Sequence, residues 1–159
     1  MLLQAKELDV VGAVVGAYCL LKTGGDDRFR EWPKRLADLY SWLPDVHVIH
    51  AWQLLDEPGA PEFAIAERRL LQAESTGLPV FSAGLQRLYD GLLAFRDDPD
   101  TPDDQPVHDA ASRLKPYVAS ASIQHTYSTY YGASPSEPNV EPVLGELPGG
   151  MEIGVDADA

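Results

Sequence analysis

Apolar residues recur along most of the chain at spacings of three and four, which is the period of an amphipathic helix with one buried face. The second such stripe shows the pattern clearly, with Phe29, Trp32, Leu36, Leu39 and Leu43 in register. Gly, Pro and small polar residues interrupt the stripes at positions that suit helix ends. Six helices are predicted on this basis, at 9–22, 26–43, 45–55, 61–76, 82–95 and 108–121.

Local signals indicate where these helices begin and end. Asp9 is placed to cap the first helix, and Gly24 is placed to end it in the left-handed conformation. Asp45 and Ser82 are predicted to cap the third and fifth helices. Pro33 falls inside the second stripe, so the second helix either starts one residue earlier, with the proline in its first turn, or is kinked there.

Two segments lack helical periodicity. Residues 97–106 are acidic and proline-rich, and are predicted to form a flexible linker before the last helix. Residues 122–159 are predicted to be an extended or disordered acidic tail, in which the run TYSTYY, at 126–131, has a strand-like composition. The predicted organisation is one helical-repeat domain at 1–121, which includes the linker, followed by the tail.

The predicted helices form pairs with a period in the mid-thirties. The first helices of the pairs begin near Asp9, Asp45 and Ser82, and GAYCLL at 16–21 matches HAWQLL at 50–55 with an offset of 34 residues. A period of this size with two helices per unit is typical of stacked helical hairpins.

The chain resembles the tetratricopeptide-repeat family over roughly residues 9–121. In the best stretch, GAPEFAIAERRLLQAESTGLPVF, Gly59 lies in the turn, Ala64 and Leu71 are the small and apolar positions of a second helix, and Pro79 ends the unit. The resemblance implies an all-α superhelix of stacked antiparallel hairpins whose first helices line a concave groove. A compact helical bundle without repeats is the alternative, because bundles also show paired-helix periodicity.

A second resemblance concerns REWPKRLADLYSWLPDVHVIHAWQLL, at 30–55, and GLPVFSAGLQRLYDGL, at 77–92. These runs are similar to helical regions of large bacterial proteins that carry caspase-like or trypsin-like peptidase domains. The resemblance implies a freestanding relative of that helical part. No catalytic residue carries over, because this sequence contains no peptidase domain.

Charge is distributed unevenly along the chain. The net charge is −13, of which residues 1–96 contribute −3 (13 acids, 10 bases) and residues 97–159 contribute −10 (12 acids, 2 bases). Repulsion from phosphate groups argues against binding to nucleic acid or to an anionic membrane. The sequence has one cysteine, no secretory signal and no apolar run near the roughly 20 residues that span a bilayer. We therefore expect a cytoplasmic protein.

No catalytic, cofactor or metal site is predicted. Cys19 lies in an apolar run and is predicted to be a buried, inert thiol, which argues against a nucleophile pair with His47, His50, His108 or His125. His47 and His50 stand three residues apart on the third helix, but no third zinc ligand follows at a sensible spacing.

The predicted function is a non-catalytic protein–protein interaction module that binds a partner protein or a second copy. The predicted groove contacts are exposed polar positions of the third and fifth helices, namely His47, His50, Gln53, Gln86 and Asp90. The first helix adds an apolar face at Val11 and Val15. We expect a partner subunit, a second copy or the returning TYSTYY segment to cover this face, because a terminal helix usually has a polar outer side.

Two alternatives remain at this point. One is an accessory or regulatory subunit of a bacterial protease or defence assembly, which the second resemblance suggests. The other is a small helical-bundle enzyme. A closed pocket around His47 and His50 would favour the enzyme, whereas an open groove would favour the interaction module.

Trp32, Trp42 and Trp52 are expected to pack between helices.

Overall fold

The computed structural model describes residues 9–24, 31–56, 60–97, 105–122, 125–129, 132–134 and 137–138. Within these ranges the chain forms six α-helices and one short antiparallel pair of strands. The elements are α1 (Val10–Thr23), α2 (Trp32–Leu39), α3 (Pro44–Asp56), α4 (Ala60–Thr76), α5 (Ser82–Arg96), α6 (Gln105–Ser120), β1 (Gly132–Ser134) and β2 (Glu137–Pro138). The prediction of a mainly α-helical fold is confirmed. No helix of the described part is both long and apolar enough to cross a membrane.

α1 begins and ends where the sequence predicts. Oδ1 of Asp9 accepts the backbone N–H of Gly12 at 2.9 Å and so caps the helix. Gly24 follows the helix with a φ angle of 67°, and its N–H returns to the carbonyl of Leu20. Glycine adopts this left-handed conformation without the steric cost that a Cβ atom adds.

α2 starts at Trp32 with Pro33 in its first turn, which is the first of the two predicted alternatives. It ends at Leu39 rather than at Leu43, because Tyr40 leaves the helical conformation. The predicted helix was therefore too long by four residues at this end. The rest of the stripe forms the turn that leads into α3.

The turn between α2 and α3 leaves Trp42 in solvent. Its side chain is 66% exposed, so the prediction that it packs between helices is wrong. Trp32 is buried and Trp52 is half-buried, as expected for packing residues. Trp42 differs from them because it lies in the turn instead of on a helix.

α3 is enclosed by its neighbours along most of its length. Every residue from Pro44 to Ala51 is buried, and the helix contacts α1, α2, α4 and α5. A helix that is surrounded in this way has no face left for solvent. The assumption of one exposed stripe, on which the predicted contact residues of this helix depended, therefore fails here.

The predicted caps at Asp45 and Ser82 are wrong. Asp45 lies inside the first turn of α3, where it is fully buried. Ser82 is the first residue of α5, and the residue before it, Phe81, has the extended backbone of an N-cap. The Ser82 hydroxyl donates to the carbonyl of Tyr127 at 2.8 Å. Both side chains join distant parts of the chain instead of capping their own helices.

The second half of the domain packs α4, α5 and α6 against one another, with α4 also against α3. α6 begins at Gln105, three residues before the predicted start at His108, and it contains Pro116. The predicted linker lies mostly at 98–104, which is outside the described residues. The largest fully buried apolar side chains of the core are Ile49, Leu70, Leu85, Leu88 and Leu92.

Residues 125–129 run beside the start of α5. Two backbone hydrogen bonds, of 2.8 and 3.1 Å, flank an antiparallel bridge between Phe81 and Tyr127. This bridge agrees with the strand-like composition of TYSTYY. Part of the segment that was predicted to be a tail therefore packs on the helices, while residues 139–159 lie outside the described residues.

Candidate functional site

A buried carboxylate joins α1, α3 and the start of α5. Oδ1 of Asp45 accepts the hydroxyl of Tyr18 at 2.8 Å, and its oxygens also accept the backbone N–H groups of Val80 at 2.7 Å and Phe81 at 3.3 Å. Gly84 makes this approach possible. A Cβ atom there would collide with the Tyr18 hydroxyl and would stand 2.6 Å from Oδ1 of Asp45.

The electrostatics of this joint are those of a structural contact. Burial raises the pKa of Asp45, and the hydrogen bonds from Val80, Tyr18 and Phe81 partly oppose that rise. Burial also raises the pKa of Tyr18 well above its ordinary value, and the nearby Asp45 carboxylate adds to the effect. Tyr18 is therefore a neutral hydrogen-bond donor at physiological pH.

A groove lies beside this joint, between α1 and α5. It has a volume of about 580 Å³ and is lined by side chains of α1, by the first turns of α5 and by His125 and Thr126. Tyr18 and Phe81 belong to its lining, so the joint at Asp45 fixes its walls. Its size is within the range of roughly 300–1,000 Å³ that is usual for ligand sites.

Positive charge distinguishes the groove from the chain as a whole. Lys22, from the last turn of α1, and Arg87, from α5, line it, and no carboxylate does so among the described residues. The Arg87 guanidinium lies 4.7 Å from the centre of the Trp52 ring, and Nε1 of Trp52 donates to the Arg87 carbonyl at 3.1 Å. Trp52 thus holds Arg87 in place and reduces the conformational entropy that this side chain can still lose in a contact.

The structure brings four of the predicted contact residues to this side of the domain. Val15 and Gln86 line the groove, and Val11 lies one turn before Val15 on the same face of α1. Asp90 lies one turn beyond Gln86, whose Nε2 donates to its carboxylate at 2.8 Å. Gln53, on α3, is half-buried and is not part of the lining.

The single cysteine of the chain also lines the groove. Cys19 is exposed, so the prediction of a buried thiol is wrong, because α1 turns its other face to the core. His125 lines the same groove, whereas His47, His50 and His108 do not. In the described part of the chain, no group of three or more His, Cys, Asp or Glu side chains is arranged to hold a metal ion.

His47 and His50 lie in the core. They are 0% and 4% exposed, so the prediction that they form an exposed stripe is wrong, because α3 is enclosed. Nε2 of His47 donates to the carbonyl of Ser41 at 3.0 Å. Burial, and to a smaller extent the nearby Arg69 guanidinium, lowers the pKa of both imidazoles, that of His50 to about 4. Both imidazoles are therefore neutral at physiological pH and out of reach of a partner.

Sequence reasoning missed the two cations of the groove. A usable signal was present, because α1, α3 and α5 together carry only three Lys or Arg residues, which are Lys22, Arg87 and Arg96. Any groove between these helices had to take its positive charge from them. The contact between α1 and α5, which selects Lys22 and Arg87, is not visible in the sequence.

The family comparison covers the whole helical part of the chain. The profile of the Y4kD C-terminal domain matches residues 1–145, a range that contains all six helices and the lining of the groove. No curated protein and no solved structure matches the chain. The chain therefore belongs to the Y4kD C-terminal domain family.

Proposed function

We propose that this domain is a non-catalytic protein–protein interaction module, which binds a partner protein through the groove between α1 and α5 and the adjoining face of α1. One observation carries the proposal. Val11 and Val15 are 53% and 40% exposed, on a helix that has no charged residue between Val10 and Leu21. Apolar side chains that remain in water beside a groove are typical of a surface that a partner covers.

The proposal includes stacked helical hairpins of the tetratricopeptide-repeat kind. α1 contacts α3, α3 contacts α5, and α4 contacts α6, so alternate helices pack together as they do in hairpin arrays. The first helices of such arrays line the surface that binds an extended peptide or a helix. The groove supports this reading, because both of its helical walls are first members of the predicted pairs.

A second candidate function is an accessory or regulatory subunit of a bacterial protease or defence assembly. The exposed pair Leu39 and Trp42 favours it, because both lie in the segment that is similar to helical regions of peptidase-bearing proteins. A tryptophan that is two-thirds exposed is an effective anchor once a partner buries it. This candidate uses the turn between α2 and α3, whereas the first uses α1 and α5.

Replacing Val11 and Val15 with Glu tests the first candidate. The full-length protein serves as bait in an extract of its native cells, captured proteins are identified by mass spectrometry, and the affinity of the purified partner is measured by calorimetry. We expect the double variant to bind about tenfold more weakly, since removing two half-exposed valines from water contributes roughly 1.5 kcal/mol. Its helical content and cooperative melting should not change.

The matched control is Ala64→Glu with Ala119→Glu, which adds the same charge at exposed positions of α4 and α6. This control should keep the partner. If V11E/V15E unfolds, the face is internal core and the proposal is wrong; if it stays folded and binds normally, the partner uses another surface. Loss of binding in Trp42→Ala alone would select the second candidate.

A further inference from the structure

We propose that residues 151–159 of the same molecule occupy the groove between α1 and α5. This inference goes beyond the proposed function, because the occupant is the chain itself rather than another protein. The two are linked, since a partner that uses the groove would have to displace this segment. The segment lies outside the described residues, and its sequence and the lining of the groove support the assignment.

The sequence of the segment, MEIGVDADA, alternates strictly between two kinds of residue. Apolar side chains stand at 151, 153, 155, 157 and 159, and the positions between them hold Glu152, Gly154, Asp156 and Asp158. An extended chain places successive side chains on opposite sides. The segment would therefore present one apolar edge and one edge with three carboxylates.

The lining of the groove offers the matching chemistry. Val15, Phe81 and Ala83 supply apolar surface, while Lys22 and Arg87 supply two positive charges. Lysine and arginine pack their long apolar stems on apolar surface, while their charged ends remain free to contact a carboxylate. An extended segment with apolar and acidic edges fits this arrangement, whereas a basic segment would be repelled.

The two groove cations differ from three arginines of the helices. Arg69, Arg96 and Arg113 form ion pairs with Asp38, Asp97 and Glu74. Among the described residues, no ion pair joins Lys22 or Arg87 to a carboxylate. The guanidinium of Arg87 is instead held against Trp52, and Arg87 is part of the groove lining. Carboxylates of the segment would form ion pairs with Lys22 and Arg87.

The chain is long enough for the segment to reach the groove within one molecule. Twelve residues lie between Pro138, at the end of β2, and Met151. The thirteen steps from Pro138 to Met151, at about 3.3 Å each, span up to about 43 Å. A domain of this size is only roughly 35–40 Å across.

The native thiol of Cys19 reports occupancy in the full-length protein, because it lines the groove and no second cysteine competes with it. Its reaction rate with a neutral disulfide reagent, dithiodipyridine, is measured by absorbance. We expect Glu152→Gln/Asp156→Asn/Asp158→Asn to raise this rate about fivefold, since two lost ion pairs free the groove for a larger share of the time. High salt should raise the rate of the natural sequence in the same way and leave that of the triple variant unchanged.

The control variant, Asp98→Asn/Asp100→Asn/Asp103→Asn, removes the same charge from the 97–106 region and should react like the natural sequence. A trapping experiment adds a direct test. We expect Gly154→Cys to form an intramolecular disulfide with Cys19 under mild oxidation, and Asp100→Cys to form none. Equal rates in all variants, or no disulfide from Gly154→Cys, would show that the segment does not enter the groove. A disulfide-linked dimer would also overturn the proposal, in favour of the segment of a second copy.

Discussion

The hydroxyl of Tyr18 donates to Oδ1 of Asp45 at 2.8 Å, although the two residues lie 27 positions apart in the chain. Both are buried, so the carboxylate has no access to water if this donor is lost. We expect Tyr18→Phe to lower the free energy of unfolding by about 1–3 kcal/mol, as measured by urea denaturation. Tyr89→Phe, at a half-buried position of α5, is the control and should cost less than about 0.5 kcal/mol. Equal losses in both variants would show that the bond to Asp45 is not the cause.

A matched pair of glycines tests the packing at this joint. Gly84→Ala would push a methyl group against Tyr18 and Asp45, so we expect a loss of about 1–3 kcal/mol in the free energy of unfolding. Gly16, on α1, has no neighbouring atom within 4 Å of the added methyl. Gly16→Ala should therefore stabilise the protein by about 0.5–1 kcal/mol, because alanine favours the helix. If Gly84→Ala were also stabilising, α1, α3 and α5 would not meet as closely as described.

Acid should destabilise the protein through His50. Burial lowers its pKa to about 4 from an ordinary value of 6.5, so the unfolded chain binds a proton more readily than the folded chain. The neutral imidazole contributes its full share to the free energy of unfolding when the pH is above 6.5. This contribution declines as the pH falls toward the folded pKa. The shift corresponds to at most about 3 kcal/mol.

The measurement compares free energies of unfolding at about pH 7 and about pH 4.5 for the natural sequence and for His50→Gln. We expect the difference between the two pH values to be smaller in His50→Gln. Asp45, whose raised pKa acts in the opposite direction, is present in both proteins and cancels in the comparison. His125→Gln, at an exposed position, should leave the pH dependence unchanged. An unchanged slope in His50→Gln would mean that this imidazole is not buried.

Trp42 should dominate the accessible tryptophan fluorescence. It is 66% exposed, whereas Trp32 is buried and Trp52 is half-buried against Arg87. We expect Trp42→Phe to remove most of the emission that acrylamide quenches, with a shift of the remaining emission to shorter wavelength and no loss of helical content. If quenching stayed as strong, Trp42 would be covered in solution.

The sequence predicts both ends of α1 and the start of α2 well because local chemistry decides them. The Asp9 carboxylate caps its own helix, and Pro33 is tolerated only near a helix start. It fails on α3, where four neighbouring helices bury positions such as His50 that a periodic pattern leaves in water. The groove can be predicted from the sequence only in part. Val15 follows from the face of one helix, but pairing it with Arg87 requires a contact between α1 and α5 that only the folded chain makes.

The antiparallel bridge between Phe81 and Tyr127 has a consequence for protein synthesis. Tyr127 also accepts the hydroxyl of Ser82, which precedes it by 45 residues. A ribosome that adds roughly 5–20 residues per second needs roughly 2–9 s to cover that distance. During this interval Phe81 has no bridge partner, and the groove still lacks the wall that His125 and Thr126 provide. The nascent chain thus completes the lining of the groove only after all six helices have been made.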